Sequence, residues 1–209
     1  MIVFLSRLNK LGFDPSIFLL DQTNVSTARN FLAKNFIEAH QKEHGPYSAV
    51  LWIDSDQTFE FMDFLNLLNR FDETNKSDGV EILSARYITR DLEEPKVCAF
   101  MKAPIDKVKF GYKAILPSSQ GISEVDGFGF GFVMMTPKVL VDMYEHYGQH
   151  MFAFRCVGDK DVGGIIGEDL DWCDKAQAIG YKLFFDNDVS IGHYGGVIDD
   201  KVFGVIRND

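Results

Sequence analysis

The chain has 209 residues, 46% of them hydrophobic and 13% aromatic, with 19 Phe; one domain's length with that much apolar material builds a core and excludes a disordered polymer. A formal net charge of -10, from 31 acidic against 21 basic residues, lacks the positive stripe by which a nucleic-acid surface displaces counterions. No apolar run reaches the ~20 residues that cross a bilayer, so neither nucleic acid nor a membrane span enters the reading.

Met1–Leu11 reads as an amphipathic helix or a stub of strand, stopped by Gly12 and the Asp14-Pro15 turn; it lacks the basic region and cleavage site of a signal peptide. Ser16–Leu20 (SIFLL) is expected to be a buried strand. Asn24–Ser26 supplies a cap for a helix over about 27–43, with Ala28, Phe31, Leu32, Phe36 and Ala39 on its apolar side. Ala49–Ile53 (AVLWI) has the continuous apolar character of a strand covered on both faces in a parallel sheet. A helix over about 59–70, a polar loop TNKSDG and a strand over 80–85 follow.

Residues 91–120 read as an irregular excursion with a short hairpin, VCAFM and KFGYKAIL being the candidates. Phe128–Met135 is expected to be one strand, and Pro137 opens a helix to about Tyr147. Beyond a Gly- and charge-rich loop at 158–167, a helix over 168–179, capped by Gly180, leads into a strand over 182–185 and a Gly-rich turn holding His193. Strands alternating with helices give an α/β domain. Cys98, Cys156 and Cys173 are widely spaced and odd in number; they read as reduced thiols, small buried residues of a cytoplasmic protein.

Four constellations carry chemistry, each beside a plainer structural reading. Asp54-Ser55-Asp56 ends a buried strand, where ligands of open α/β sheets bind. Two carboxylates spaced i, i+2 suit a hard cation that bridges a diphosphate; the plainer reading is a loop-capping pair. Gly167-Glu168-Asp169-Leu170-Asp171 crowds acids into a helix's first turn. The helix dipole alone explains them, yet a carboxylate there can also deprotonate a hydroxyl. His193, flanked by Gly192 and Gly195–Gly196, is either a satisfied structural histidine or a ligand that tilts the site toward Mn²⁺. In Val125–Gly131 (VDGFGFG), alternating Gly and Phe leaves one strand face bare for a sugar, with Asp126 beside it, or for a tightly packed helix. Its spacing is not that of a phosphate-binding G-x-G-x-x-G loop.

In their order, the stretches NVSTARNFLAKNFIE, AVLWIDSDQTF, VDGFGFGFVMMTPKVL and GEDLDWCDKAQAIGYKLFFDNDVSIGHYG resemble the GT-A glycosyltransferases, in particular small soluble bacterial, phage and viral forms. The resemblance implies a single Rossmann-like GT-A domain over residues 1–209, with a mixed, mostly parallel sheet flanked by helices. It implies transfer of a sugar from a UDP- or GDP-sugar to the hydroxyl of an acceptor glycan or other compound, with inversion. Asp54, Asp56 and His193 would then hold Mn²⁺ or Mg²⁺, and Asp169 would act as the base with Glu168 as its neighbour. Arg29 and Arg86 would contact the diphosphate or sugar, Asp21 the nucleotide base, and Asp126, Gly127 and Gly129 the sugar.

One departure from the family pattern concerns the start. Only fifteen residues precede Ser16, too few for the family's opening strand, turn and helix, so a first strand is expected to be missing. A second subunit or another element would then complete the sheet edge. The rival readings are a catalytically degenerate sugar- or nucleotide-binding or assembly module, and a nucleotidyltransferase, for which the phosphate loop is lacking.

Overall fold

A computed structural model describes residues 8, 10–20, 24–42, 47–89, 94–104, 111–116, 118, 120–158 and 164–194. Four α-helices are among them: α1 Val25–Lys42, α2 Phe61–Asp78, α3 Pro137–Tyr147 and α4 Glu168–Ala178. The strands are β1 Val50–Ile53, β2 Gln57–Thr58, β3 Ile82–Arg86, β4 Ala99–Lys102, β5 Tyr112–Ala114, β6 Ile122–Val125, β7 Gly127–Phe128, β8 Phe132–Met135, β9 Arg155–Val157, β10 Gly164–Ile166, β11 Leu183–Ser190 and β12 Gly192–His193.

The central sheet has the order β1-β8-β3-β11-β6. Only β3 and β11 pair in parallel; β1–β8, β8–β3 and β11–β6 are antiparallel. The sheet is mixed and mostly antiparallel, which corrects the expectation of a mostly parallel one. The reason is β8: it runs backwards between β1 and β3 and so makes those two parallel to each other without touching. Three small sheets, β12-β2, β10-β9 and β5-β4-β7, surround the central one.

Alternation along β8 sorts the core into two layers, as period-two side chains require. Val133 and Met135 join Phe36 and Ile37 of α1, Leu140 and Met143 of α3, and Trp172 and Ala176 of α4. Phe132 and Met134 join Phe64, Leu67 and Phe71 of α2 on the opposite face. Helices thus cover both faces of the sheet.

Local chemistry explains the boundaries. Asn24 caps α1 by accepting the Ser26 N–H at 3.0 Å. Pro137 sits at the first turn of α3, where its missing N–H costs nothing. The α2 helix continues through the expected TNKSDG loop to Asp78 and stops at Gly79, whose φ of 68° is left-handed. Phe128–Met135 is not one strand but two, β7 and β8, separated by a turn at Phe130–Gly131. The hairpin expected in 91–120 is β4 against β5.

Ser16–Leu20 forms no strand; Leu19 is 70% exposed, and Ile17 and Leu20 are also exposed. Only Phe18 turns inward, edge-on to Phe36. An apolar run of five residues fits a strand only where a neighbour supplies a ladder, and among the described residues none pairs with this run. Among the described residues β1 is an edge of the sheet. It is half-buried with Ile53 exposed, unlike the fully covered strand the sequence suggested. Cys98 and Cys173 are buried and Cys156 is exposed, and all three are free thiols. No described helix is long and apolar enough to cross a membrane.

Candidate active site

Because β1 and β3 point the same way, and β11 runs parallel to β3, three strand exits open on one rim of the sheet. Asp54 leaves β1 in a tight turn closed by the Gln57 N–H to the Asp54 carbonyl at 3.1 Å. The turn is anchored from behind by the Asp54 N–H, which donates to the Gly131 carbonyl at 2.9 Å. Ser190 leaves β11 after a register shift that begins at Asp186. The fully buried Asp186 carboxylate accepts the N–H groups of Asp188 at 2.9 Å and Val189 at 3.2 Å and meets Arg70 Nε at 2.5 Å. That irregularity steers the chain into β12, which pairs with β2 and sets His193 opposite Gln57.

Arg29 is the hub. Its side chain is 5% exposed, and Nη2 donates to both Asp54 oxygens at 3.1 and 3.0 Å. Nη1 donates to Glu168 Oε1 at 3.0 Å and also to Asp169 Oδ1. The guanidinium lies 5.3 and 5.7 Å from the ring centres of Phe130 and Phe152, an arrangement that favours a delocalised cation. Asn30, the next residue of α1, clasps Phe152 through both its carbonyl, at 2.7 Å, and its N–H, at 3.0 Å. Arg29 was expected to contact a diphosphate or sugar; in this structure its two terminal nitrogens face three carboxylates.

Burial would strip the proton from Arg29, but Asp169, Asp54 and Glu168 outweigh it and raise its pKa. Burial raises the pKa of Asp54 despite the opposing pull of Arg29. Glu168 is likewise raised, first by burial and then by Asp169. Asp169 keeps both oxygens engaged, one on Arg29 and the other accepting the Phe130 N–H at 3.3 Å, while its side chain stays 30% exposed. The expected base is therefore both held and reachable. Asp171, the third acid of this turn, is turned away into ion pairs with Arg155 at 3.0 Å and Lys175 at 2.6 Å.

His193 faces Asp56. Its Nε2 lies 3.5 Å from Asp56 Oδ2, and Nδ1 lies 2.8 Å from the Ile88 carbonyl. A carbonyl accepts only from N–H, so this contact places a proton on Nδ1 and leaves Nε2 facing the aspartate. An imidazole nitrogen beside a carboxylate oxygen is a donor pair suited to Mn²⁺. Asp54 is not the third member of this pair. The two aspartates leave their turn toward different partners, Asp54 to Arg29 and Asp56 to His193. Among the described residues no group of three or more His, Cys, Asp and Glu side chains is gathered to hold a metal ion. The expected trio thus assembles as a pair plus a carboxylate held by arginine.

The bare face expected on the Gly-Phe strand is filled by the chain itself. A Cβ at Gly127 would lie 2.6 Å from Leu170 Cδ2, one at Gly129 would overlap the Tyr87 hydroxyl, and one at Gly131 would meet Gln57 Nε2. Asp126 accepts the Lys102 N–H at 2.7 Å and faces Gln177 at 3.5 Å, so its described partners are structural. The plainer reading of this motif, close packing, is the one the geometry bears out. Arg86 ends β3 half-buried and receives the Ile191 N–H on its carbonyl at 2.9 Å. Asp21 lies outside the described residues.

Tyr87 is the residue that sequence reading missed. Buried at the end of β3, it accepts the Gly131 N–H on its hydroxyl at 2.9 Å, and its ring meets His193 edge-to-face at 5.6 Å. The signal was the pair Gly129 and Gly131, whose missing side chains make room for a large neighbour.

No protein-family model matches the chain, and no curated protein matches it. Among solved structures, the crystal structure of A197 from STIV is similar, with a TM-score of 0.51. The match covers 94% of this chain and 88% of that one at 14% sequence identity. The likeness is one of fold: an α/β domain with a mixed sheet.

Proposed function

We propose that this chain is a nucleotide-sugar-dependent glycosyltransferase on a Rossmann-like GT-A domain, moving a sugar from a UDP- or GDP-sugar to an acceptor hydroxyl. The observation that carries the reading is the convergence of Arg29, Asp54, Asp56, Glu168, Asp169 and His193, distant in sequence, on one rim of the sheet. Asp56 and His193 would hold Mn²⁺ or Mg²⁺, joined by Asp54 once it leaves Arg29. A divalent cation there neutralises charge growing on the departing diphosphate.

Asp169 supplies the base. Its exposed edge takes the proton of the acceptor hydroxyl as that oxygen attacks the anomeric carbon, and attack opposite the leaving group inverts configuration. Arg29 keeps Asp169 oriented through the contact of Nη1 with Oδ1. A second reading, a sugar- or nucleotide-binding or assembly module, draws on the same arginine, which already neutralises Asp54 without any added cation.

Calorimetry with UDP and GDP, with and without Mn²⁺, followed by a donor screen for nucleotide release, separates the two. Mn²⁺-dependent binding with release supports transfer. Binding without release supports a nucleotide-binding module, and no binding of either nucleotide overturns transfer and favours a sugar-binding or assembly module.

A further inference from the structure

We infer that Tyr87 is a positioning residue that ties the two halves of the site together, its hydroxyl serving Asp54 and its ring serving His193. The inference rests on the site reading above. Tyr87 accepts the Gly131 N–H at 2.9 Å, and the Gly131 carbonyl in turn accepts the Asp54 N–H at 2.9 Å. One residue, Gly131, therefore separates the phenol from the aspartate that leaves β1. On its other side the ring stands perpendicular to the His193 imidazole, with 5.6 Å between centres.

The residue itself is held. Tyr87 and Cys98 share a backbone hydrogen bond of 3.0 Å, from the Cys98 N–H to the Tyr87 carbonyl. The Cys98 carbonyl then accepts the Gly129 N–H at 3.2 Å. Gly129 and Gly131 are glycine because the phenol occupies the space a Cβ would need. A buried hydroxyl in such a chain of bonds fixes its partners more strongly than an exposed one, since unpaired groups there are costly.

The two roles sit on different atoms, so two substitutions separate them. Tyr87→Phe removes the hydroxyl and keeps the ring; Tyr87→Leu removes both. Amide hydrogen exchange and the NMR chemical shifts of the His193 ring protons at one fixed pH are read on the free protein, without nucleotide or metal. Tyr87→Phe is expected to speed exchange at Gly131 and Asp54 about tenfold, the loss of one net hydrogen bond, with the His193 ring signals unchanged. Tyr87→Leu, which removes the perpendicular ring, is expected to shift the His193 ring signals as well.

Uniformly faster exchange across the central sheet in Tyr87→Phe would reduce Tyr87 to a packing residue and overturn the inference. Wild-type exchange at Gly131 and Asp54 would overturn it too, as would a His193 shift in Tyr87→Phe. Should Tyr87→Leu not fold, the Tyr87→Phe pattern alone decides. Failure of the wild type to bind nucleotide would count against glycosyl transfer but leave this measurement standing.

Discussion

Arg29 Nη2 sits between the two carboxylate oxygens of Asp54, 3.1 Å from one and 3.0 Å from the other. The same guanidinium reaches Glu168 and Asp169 through Nη1. A single buried cation is thus shared by the residue expected to bind a metal and the residues expected to move a proton.

Removing that cation exposes the consequence. Arg29→Met keeps the aliphatic stem but leaves three carboxylates around a void of charge, and breaking a buried pair costs about 3–5 kcal/mol. Urea denaturation at neutral pH checks this, and a loss under about 1 kcal/mol would show the pairs to be surface-like. On the proposed reading Mn²⁺ would compete with Arg29 for Asp54, so it should raise the melting temperature of Arg29→Met more than that of wild type. Equal shifts would refute the competition.

The raised pKa of Glu168, caused by burial and then by Asp169, gives a pH signature. The folded state holds the Glu168 proton at pH values where the unfolded chain, at about 4.5, has released it. Stability from this group is therefore complete below that value and drains away as pH rises through the folded pKa. Glu168→Gln lacks the effect, so its melting temperature relative to wild type should climb from pH 4 toward pH 7. A flat or falling difference would contradict the assignment.

Gly129 tests the packing of the Gly-Phe segment. Gly129→Ala forces a methyl onto the Tyr87 hydroxyl, and overpacking costs about 1–3 kcal/mol. Adding Tyr87→Phe removes the obstructing oxygen, so the double variant should recover part of the loss. Purely additive destabilisation would mean that the strain lies elsewhere.

His193 and Asp56 are expected to matter for the cation and little for the fold. His193→Ala and Asp56→Ala should each weaken Mn²⁺ binding tenfold or more, a loss at least as large as removing an outer partner of a metal ligand. Far-UV dichroism should stay unchanged. Wild-type Mn²⁺ affinity in both variants would remove the pair from the proposed centre.

The helices were readable where they rest on local chemistry: Asn24 and Pro137 mark two starts and Gly180 one end, whereas α2 runs past its expected stop at about Arg70 as far as Gly79. The approach of His193 to Asp56 was implied by the family resemblance, which grouped the two with Asp54, and not by the residues alone. Strand direction was not readable. An apolar run such as AVLWI reports that it is covered, and says nothing of which neighbour covers it or which way that neighbour runs. SIFLL misled for the same reason. Arg29 carried a charge visible in sequence, but its three acidic partners lie on β1's exit and on α4, and only folding makes them adjacent. Tyr87 carried no signal of its own, because its importance comes from space left by glycines elsewhere in the chain.

The backward strand between β1 and β3 acts as a ruler. Two rungs of ~4.8 Å separate the exit carrying Asp54 from the one carrying Tyr87, and backbone hydrogen bonds set that interval, not the loops. The connections between these strands can therefore lengthen or shorten while Asp54 and Tyr87 keep their mutual spacing. Only the loss of a whole strand would rescale it.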